Sequence, residues 1–329
     1  MQHCFTLYNG IVEMKLVFMG TPAFAIPCLE VLLEAGHEVA GVFCSPEHAS
    51  PRGGRLESPP MKIAAQRHNL PVWQPASLRD ESVGKIITEL NPETVIVAAY
   101  GKLLPSPILK IPRLGSLNVH PSLLPRHRGP SPVITSILEG DEETGVSVMV
   151  LGRKMDSGPI LSQVVEKIKD EDTAEILTER LFLRGSILLK KTLEEWAGGK
   201  IEGKPQDEGR ATQTRLISKK DGRIDWGLTA GHISRQVRAY NPWPRAHTHW
   251  KGKELKINES QPIGEKENEA TGMLNEIGRV VELPHRGAGV ITAKGILEIK
   301  KLQLEGRRLL QIEEFLMGQK DFLGSTLPS

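Results

Sequence analysis

Cysteine is scarce in this chain, with three in 329 residues. Cys4, Cys28 and Cys44 form no C-x-x-C pair, so they encode neither a disulfide framework nor a zinc-type cluster, and a reducing compartment is expected. Long apolar runs are missing as well. None approaches the roughly 18 residues of a membrane-spanning helix, so no membrane association is expected. Charge of one sign is missing in excess, since the net charge is only +2. The turn after the first clear strand reads GTPAF and not G-x-G-x-x-G, which argues against a nicotinamide-dependent dehydrogenase. A G-x-S-x-G elbow is also absent, which weakens a serine-hydrolase reading. Residues 1–13 lack the basic start and apolar core of a signal peptide and are read as an N-terminal extension.

What is present is an ordinary globular composition, 39% apolar and 25% charged, in a chain longer than one typical domain. From Met14 the pattern alternates strand and helix. Strands are expected in KLVFM, at 38–43, 71–73, 94–101 and 144–151, with helices at 23–35, 59–68, 81–90, 130–139 and 173–197. The run TVIVAAYG is apolar throughout, as befits the centre of a parallel sheet covered on both faces. Residues 14–198 are therefore read as a doubly wound, mostly parallel α/β domain. Residues 199–216 are polar and aperiodic and read as a linker. In 217–329 short strands are expected in RIDW, THWKG, ELKI, GVITAKG and ILEIKKLQL, a pattern that suggests a small OB-like β-barrel. Residues 201–329 hold 21 basic and 17 acidic side chains, a mild excess that permits a polyanionic partner. Trp226, Tyr240 and Trp243 are read as barrel-core residues in preference to base-stacking platforms.

The chemistry concentrates in 115–129, GSLNVHPSLLPRHRG. Asn118 and His120 are two apart at the end of a strand that Pro121 terminates, so both side chains project from one face. Open α/β sheets place ligand crevices at such strand ends. An amide and a protonated imidazole are both donors, suited to an oxygen that becomes negative during acyl transfer. The string N-V-H-P-S-L-L-P-R-x-R-G resembles the signature of the formyltransferases that use 10-formyltetrahydrofolate. The later segment MDSGPIL (155–161), with Asp156 as its acid, is similar to that family's second signature.

The opening MGTPAF, the segments ISKKDGRIDW and VRAYNPWPRAHT, and the final FLMGQKDFLG all resemble the methionyl-tRNA formyltransferases within that family. The resemblance implies formyl transfer from 10-formyltetrahydrofolate to the α-amino group of initiator methionyl-tRNA. Asn118, His120 and Asp156 would be catalytic, with Asp156 favouring a charged His120. Ser122, Leu123, Leu124 and Pro125 would shape the folate pocket, bordered by Lys102, Leu103 and Leu104. Arg52 and Arg55, in the long Pro- and Gly-rich loop 44–60, would contact tRNA, as would Lys219, Lys220 and Arg223. His127 stands where relatives often have an aromatic. No metal is expected. The implied enzyme is a monomer in the bacterial cytoplasm, an organelle being the alternative. A formyltransferase acting on a small amine and a 10-formyltetrahydrofolate hydrolase are the rival readings.

Overall fold

In the computed structural model, KLVFMG forms strand β1 (Lys15–Gly20), whose residues from Leu16 to Gly20 are all buried. The structure describes residues 7–8, 11–49, 56–264, 276–284 and 287–328. The chain divides into two compact units. One comprises Met1–Pro132, Glu143–Lys167 and Thr178–Arg215, and the other Val133–Glu142, Ile168–Leu177 and Leu216–Ser329.

The main sheet of the first unit has seven strands. β1 is followed by β2 (Glu38–Phe43), β3 (Val72–Trp73), β4 (Thr94–Ala98), β5 (Ser116–His120), β6 (Glu143–Val150) and β7 (Ile160–Lys167). Their order across the sheet is β7-β6-β5-β4-β1-β2-β3. The pairs β2–β3, β1–β2, β1–β4 and β4–β5 are parallel, whereas β6 runs antiparallel to both β5 and β7. The sheet is thus mostly parallel, with an antiparallel margin.

Because β1 and β4 are central, they present apolar side chains to both faces. Val17, Met19, Val95 and Val97 meet Val83 and Ile87 of helix α3 (Glu81–Leu90), while the alternate residues face away. Helices α1 (Ile26–Glu34) and α2 (Pro60–Arg67) complete the alternation at the N-terminal side, and the single turn α4 (Ser106–Leu109) precedes β5. Gly20 ends β1, where a Cβ would lie 2.8 Å from the Ala98 carbonyl oxygen, so β1 and β4 converge at the strand ends that border the site.

The second unit contains α5 (Pro132–Glu139) from Val133 onward and the first turn of α6 (Ala174–Ala197). Its own sheet is antiparallel. The strands β8 (His247–Trp250), β9 (Lys253–Ile263), β10 (Val280–Leu283), β11 (Gly287–Ile291) and β12 (Ile296–Leu304) take the order β8-β9-β12-β11-β10, and β13 (Leu310–Gln311) pairs with β12. This is an open, barrel-like sheet. Helix α7 (Ala230–Ala239) lays Ile233 and Val237 on its inner face, and α8 (Ile312–Gly318) adds Phe315. Trp250, Phe315 and Phe322 meet edge to face, with ring centroids 5.2–5.8 Å apart.

Two local expectations are corrected. RIDW is not a strand: Arg223 makes a lone bridge to His247, and Ile224 and Trp226 anchor the segment in the core. Trp226 and Tyr240 are buried, but Trp243, set between two prolines, is 54% exposed. Among the described residues no helix is long and apolar enough to cross a membrane.

Candidate active site

The site forms where β5 ends. Asn118 and His120 project from one face of the strand, opposite Leu117 and Val119. The Val119 face is closed by α6, whose Gly185 lies so near that a Cβ there would stand 2.8 Å from Val119. His120 is buried and Asn118 half-buried. Among the described residues the Asn118 amide has no hydrogen-bond partner, so it remains available to a ligand oxygen.

His120 is held from both sides. Its Nε2 lies 3.0 Å from the His127 carbonyl oxygen. A carbonyl only accepts, so this nitrogen carries the proton. Its Nδ1 lies 3.7 Å from Asp156 Oδ2. The same Oδ2 accepts a 2.8 Å hydrogen bond from the Gly129 backbone N–H. The structure therefore brings Asn118, His120 and Asp156 together. Burial pulls the His120 pKa below its ordinary value, and the opposing pulls of Asp156 and the His127 carbonyl do not outweigh it. The charged imidazole expected from the sequence is corrected to a neutral one at neutral pH, with its donor spent on His127.

The loop that follows owes its shape to polar contacts. Ser122 Oγ donates to the Arg126 carbonyl at 2.7 Å. Ser147 Oγ donates to the Ser122 carbonyl and accepts from the Leu124 N–H, and Gln163 donates to the Leu124 carbonyl. Ser122 and Leu124 are buried, while Leu123 and Pro125 are half-buried. Lys102 directs its ammonium at the Pro75 and Ala76 carbonyls, at 2.5 and 3.0 Å, and so is engaged by the loop between β3 and α3. Leu104 packs on the core beneath the sheet, and Leu103 is 68% exposed.

Two short strands, His48–Ala49 and Leu56–Glu57, pair at the base of the long loop. Glu47 braces that base by accepting from Ser58 and Lys62, each at 2.7 Å. Arg52 and Arg55 lie outside the described residues. Lys219, Lys220 and Arg223 are exposed on and beside a 3-10 turn (Lys219–Gly222) that Ser218 and Asp221 cap.

Sequence reasoning missed the buried neighbours of the site. Arg128, only 3% exposed, sends its guanidinium to both carboxylate oxygens of Glu208, at 2.8 and 3.0 Å, and to Gln206 Oε1 at 2.9 Å. The guanidinium holds the Glu208 carboxyl below its ordinary pKa. His127 and Asp156 both adopt positive φ, 59° and 49°, backbone states that ordinary residues keep only when their surroundings dictate them. An arginine inside the motif was the one available signal for a buried partner.

The family profile described as "Formyl transferase" matches residues 14–193, and that described as "Formyl transferase, C-terminal domain" matches 216–320. The methionyl-tRNA formyltransferase of Chloroflexus aurantiacus is 45% identical over 308 residues, which cover 93% of this chain and 97% of that protein. Among solved structures, the sugar 3N-formyl transferase WlaRD is similar in fold, with a TM-score of 0.64 at 18% identity over 90% of this chain and 99% of that one. HypX of Aquifex aeolicus in complex with tetrahydrofolic acid gives a TM-score of 0.61 at 18% identity, covering 93% of this chain and 47% of that one. The two profile matches, the near full-length likeness and the residues gathered at the end of β5 agree, and the chain belongs to the methionyl-tRNA formyltransferase family.

Proposed function

We propose that the protein transfers the formyl group of 10-formyltetrahydrofolate to the α-amino group of initiator methionyl-tRNA. The observation that carries this reading is the convergence of Asn118, His120 and Asp156 at one strand end, with an amide donor left unpaired and an imidazole buried against a carboxylate. The folate co-substrate supplies the formyl group. The unpaired Asn118 amide suits the formyl oxygen, because a fixed donor stabilises negative charge as it develops there. The amine must lose a proton as it acquires its new bond to carbon. The neutral His120 has one lone pair, on Nδ1, and it faces Asp156. That nitrogen takes the proton, and the Asp156 carboxylate stabilises the resulting imidazolium. The proton then passes to N10 of the folate as the bond from N10 to the formyl carbon breaks, so that tetrahydrofolate leaves and His120 returns to its neutral state. The Gly129 N–H keeps the carboxylate turned inward.

The choice of methionyl-tRNA as acceptor rests on likeness over nearly the whole chain and on the match to the C-terminal domain profile. Lys219, Lys220 and Arg223 would neutralise tRNA phosphates, as would Arg52 and Arg55. The protein acts, in this reading, as a monomer in the bacterial cytoplasm. The test is formyl transfer to charged initiator tRNA, run beside free methionine and uncharged tRNA. Folate turnover without formylated tRNA would move the assignment to a small amine or to hydrolysis.

A further inference from the structure

The segment after α6 has the composition of a tether, yet it is bonded along its length to the two loops that carry the site. Lys204 and Ile160 exchange backbone hydrogen bonds, both 2.8 Å. Gln206 Nε2 then donates to the carbonyls of Asp156, at 2.9 Å, and Gly158, at 2.7 Å. Its Oε1 accepts from Arg128 Nε. Farther on, Thr212 and Thr214 close on the other loop. The His127 N–H donates to Thr212 Oγ1 at 2.8 Å, and the Arg128 carbonyl accepts from the Thr214 N–H at 2.7 Å. Gly129, with φ +111°, passes so close that a Cβ would lie 2.7 Å from Thr214 Oγ1.

We propose that Gln206 is a positioning residue for the reaction: it holds Asp156 in its left-handed conformation and so fixes the carboxylate beside His120. This inference rests on the catalytic reading of His120 and Asp156. His120 is the last residue of β5, whereas Asp156 lies in the loop after β6. Gly129 ties the Asp156 side chain to the first loop, but only Gln206, among the described residues, bonds its carbonyl by a side chain. The position calls for two donors toward carbonyls and one acceptor toward a guanidinium. A side-chain amide supplies all three without a charge. Glutamate would keep the acceptor and lose both donors, and methionine would lose everything but the volume. Released from Gln206, Asp156 would no longer be held at its distance from Nδ1, and its pull on the imidazole would weaken, as Coulomb attraction falls with separation.

The experiment compares the full-length protein with Gln206→Met, Gln206→Glu and Asp156→Asn. It measures kcat and KM for both substrates from pH 5.5 to 8.5, the NMR titration of the His120 ring, and the melting temperature. Both Gln206 variants are expected to lose about 10- to 100-fold in kcat, the scale for removing a supporting hydrogen bond or misplacing a group by about an ångström, with KM nearly unchanged. Their His120 titration is expected to move to lower pH, in the same direction as in Asp156→Asn. A normal titration in folded Gln206 variants, whether kcat holds or falls only with melting temperature, would overturn the positioning role while an inactive Asp156→Asn leaves the catalytic reading standing. Full activity in Asp156→Asn would instead overturn that reading. Gln206→Glu keeps the size and the Arg128 partner, so it carries the test if Gln206→Met fails to fold.

Discussion

His120 Nδ1 and Asp156 Oδ2 stand 3.7 Å apart in a place where both side chains are nearly closed off from solvent. That gap exceeds a direct hydrogen bond, yet it is short enough for the carboxylate to stabilise a proton arriving on the ring. With Nε2 committed to the His127 carbonyl, proton transfer at this histidine has one available nitrogen.

Replacement of the donor is the first consequence. Asn118→Ala is expected to lower kcat by roughly 100- to 1000-fold, the usual loss for one donor to a developing oxyanion, with little change in either KM. His120→Ala should lose at least as much. Steady-state kinetics with charged tRNA checks both.

A pH dependence follows from the ionisation of His120. Burial lowers its pKa from the ordinary 6.5, and Asp156 partly opposes that shift. The neutral base therefore persists below pH 6.5, and the acid limb of kcat should fall at a lower pH than an exposed histidine would give. Removal of the opposing charge in Asp156→Asn should push His120 lower still. A limb centred above 6.5 would contradict this ordering.

His37 offers a stability test away from the site. It is 5% exposed, and among the described residues neither ring nitrogen has a hydrogen-bond partner. Burial lowers its pKa, with Lys190 in the same direction and Glu194, Glu13 and Glu93 opposing. The unfolded chain then takes up a proton near 6.5 while the folded protein does not. Its contribution is complete above that pH and is lost as pH falls from there through the folded pKa. His37→Leu should flatten this acid loss and be neutral or stabilising by up to about 1 kcal/mol at pH 7.5. Urea midpoints at pH 5 and 7.5 measure both effects.

The exposed cations of the second unit provide a test of tRNA binding. A Lys219→Ala, Lys220→Ala, Arg223→Ala triple variant should raise KM for charged tRNA and leave KM for the folate unchanged. It should also flatten the salt dependence of tRNA binding, by about one unit of log-log slope for each phosphate that is no longer neutralised. An unchanged slope would remove these three residues from the interface.

The parts of this architecture that were legible in the sequence are those set by local pattern. Helix α3 and strand β2 fall at the residues their periodicity marks, and Asn118 and His120 share a face because strand geometry requires it. The bonded segment at 204–215 was not legible. Its Pro, Gly and polar residues are those of a free tether, and its partners lie between 44 (Lys204 to Ile160) and 87 (Thr212 to Pro125) residues away in sequence. The ionisation of His120 was misjudged for a related reason. Asp156 is visible in the motif, whereas the burial that outweighs it is a property of the folded loops. Trp243 shows the converse, an aromatic that composition assigns to a core and that the turn between two prolines leaves outside.

The most direct test of the central claim is formyl transfer from 10-formyltetrahydrofolate to charged initiator methionyl-tRNA by the wild type and by Asn118→Ala, His120→Ala and Asp156→Asn, each confirmed to be folded. Formylated methionyl-tRNA from the wild type, no product from free methionine or uncharged tRNA, and a loss of at least about 100-fold in each variant is the expected result. Wild-type rates in the three variants, or formyl transfer that does not require charged tRNA, would contradict it.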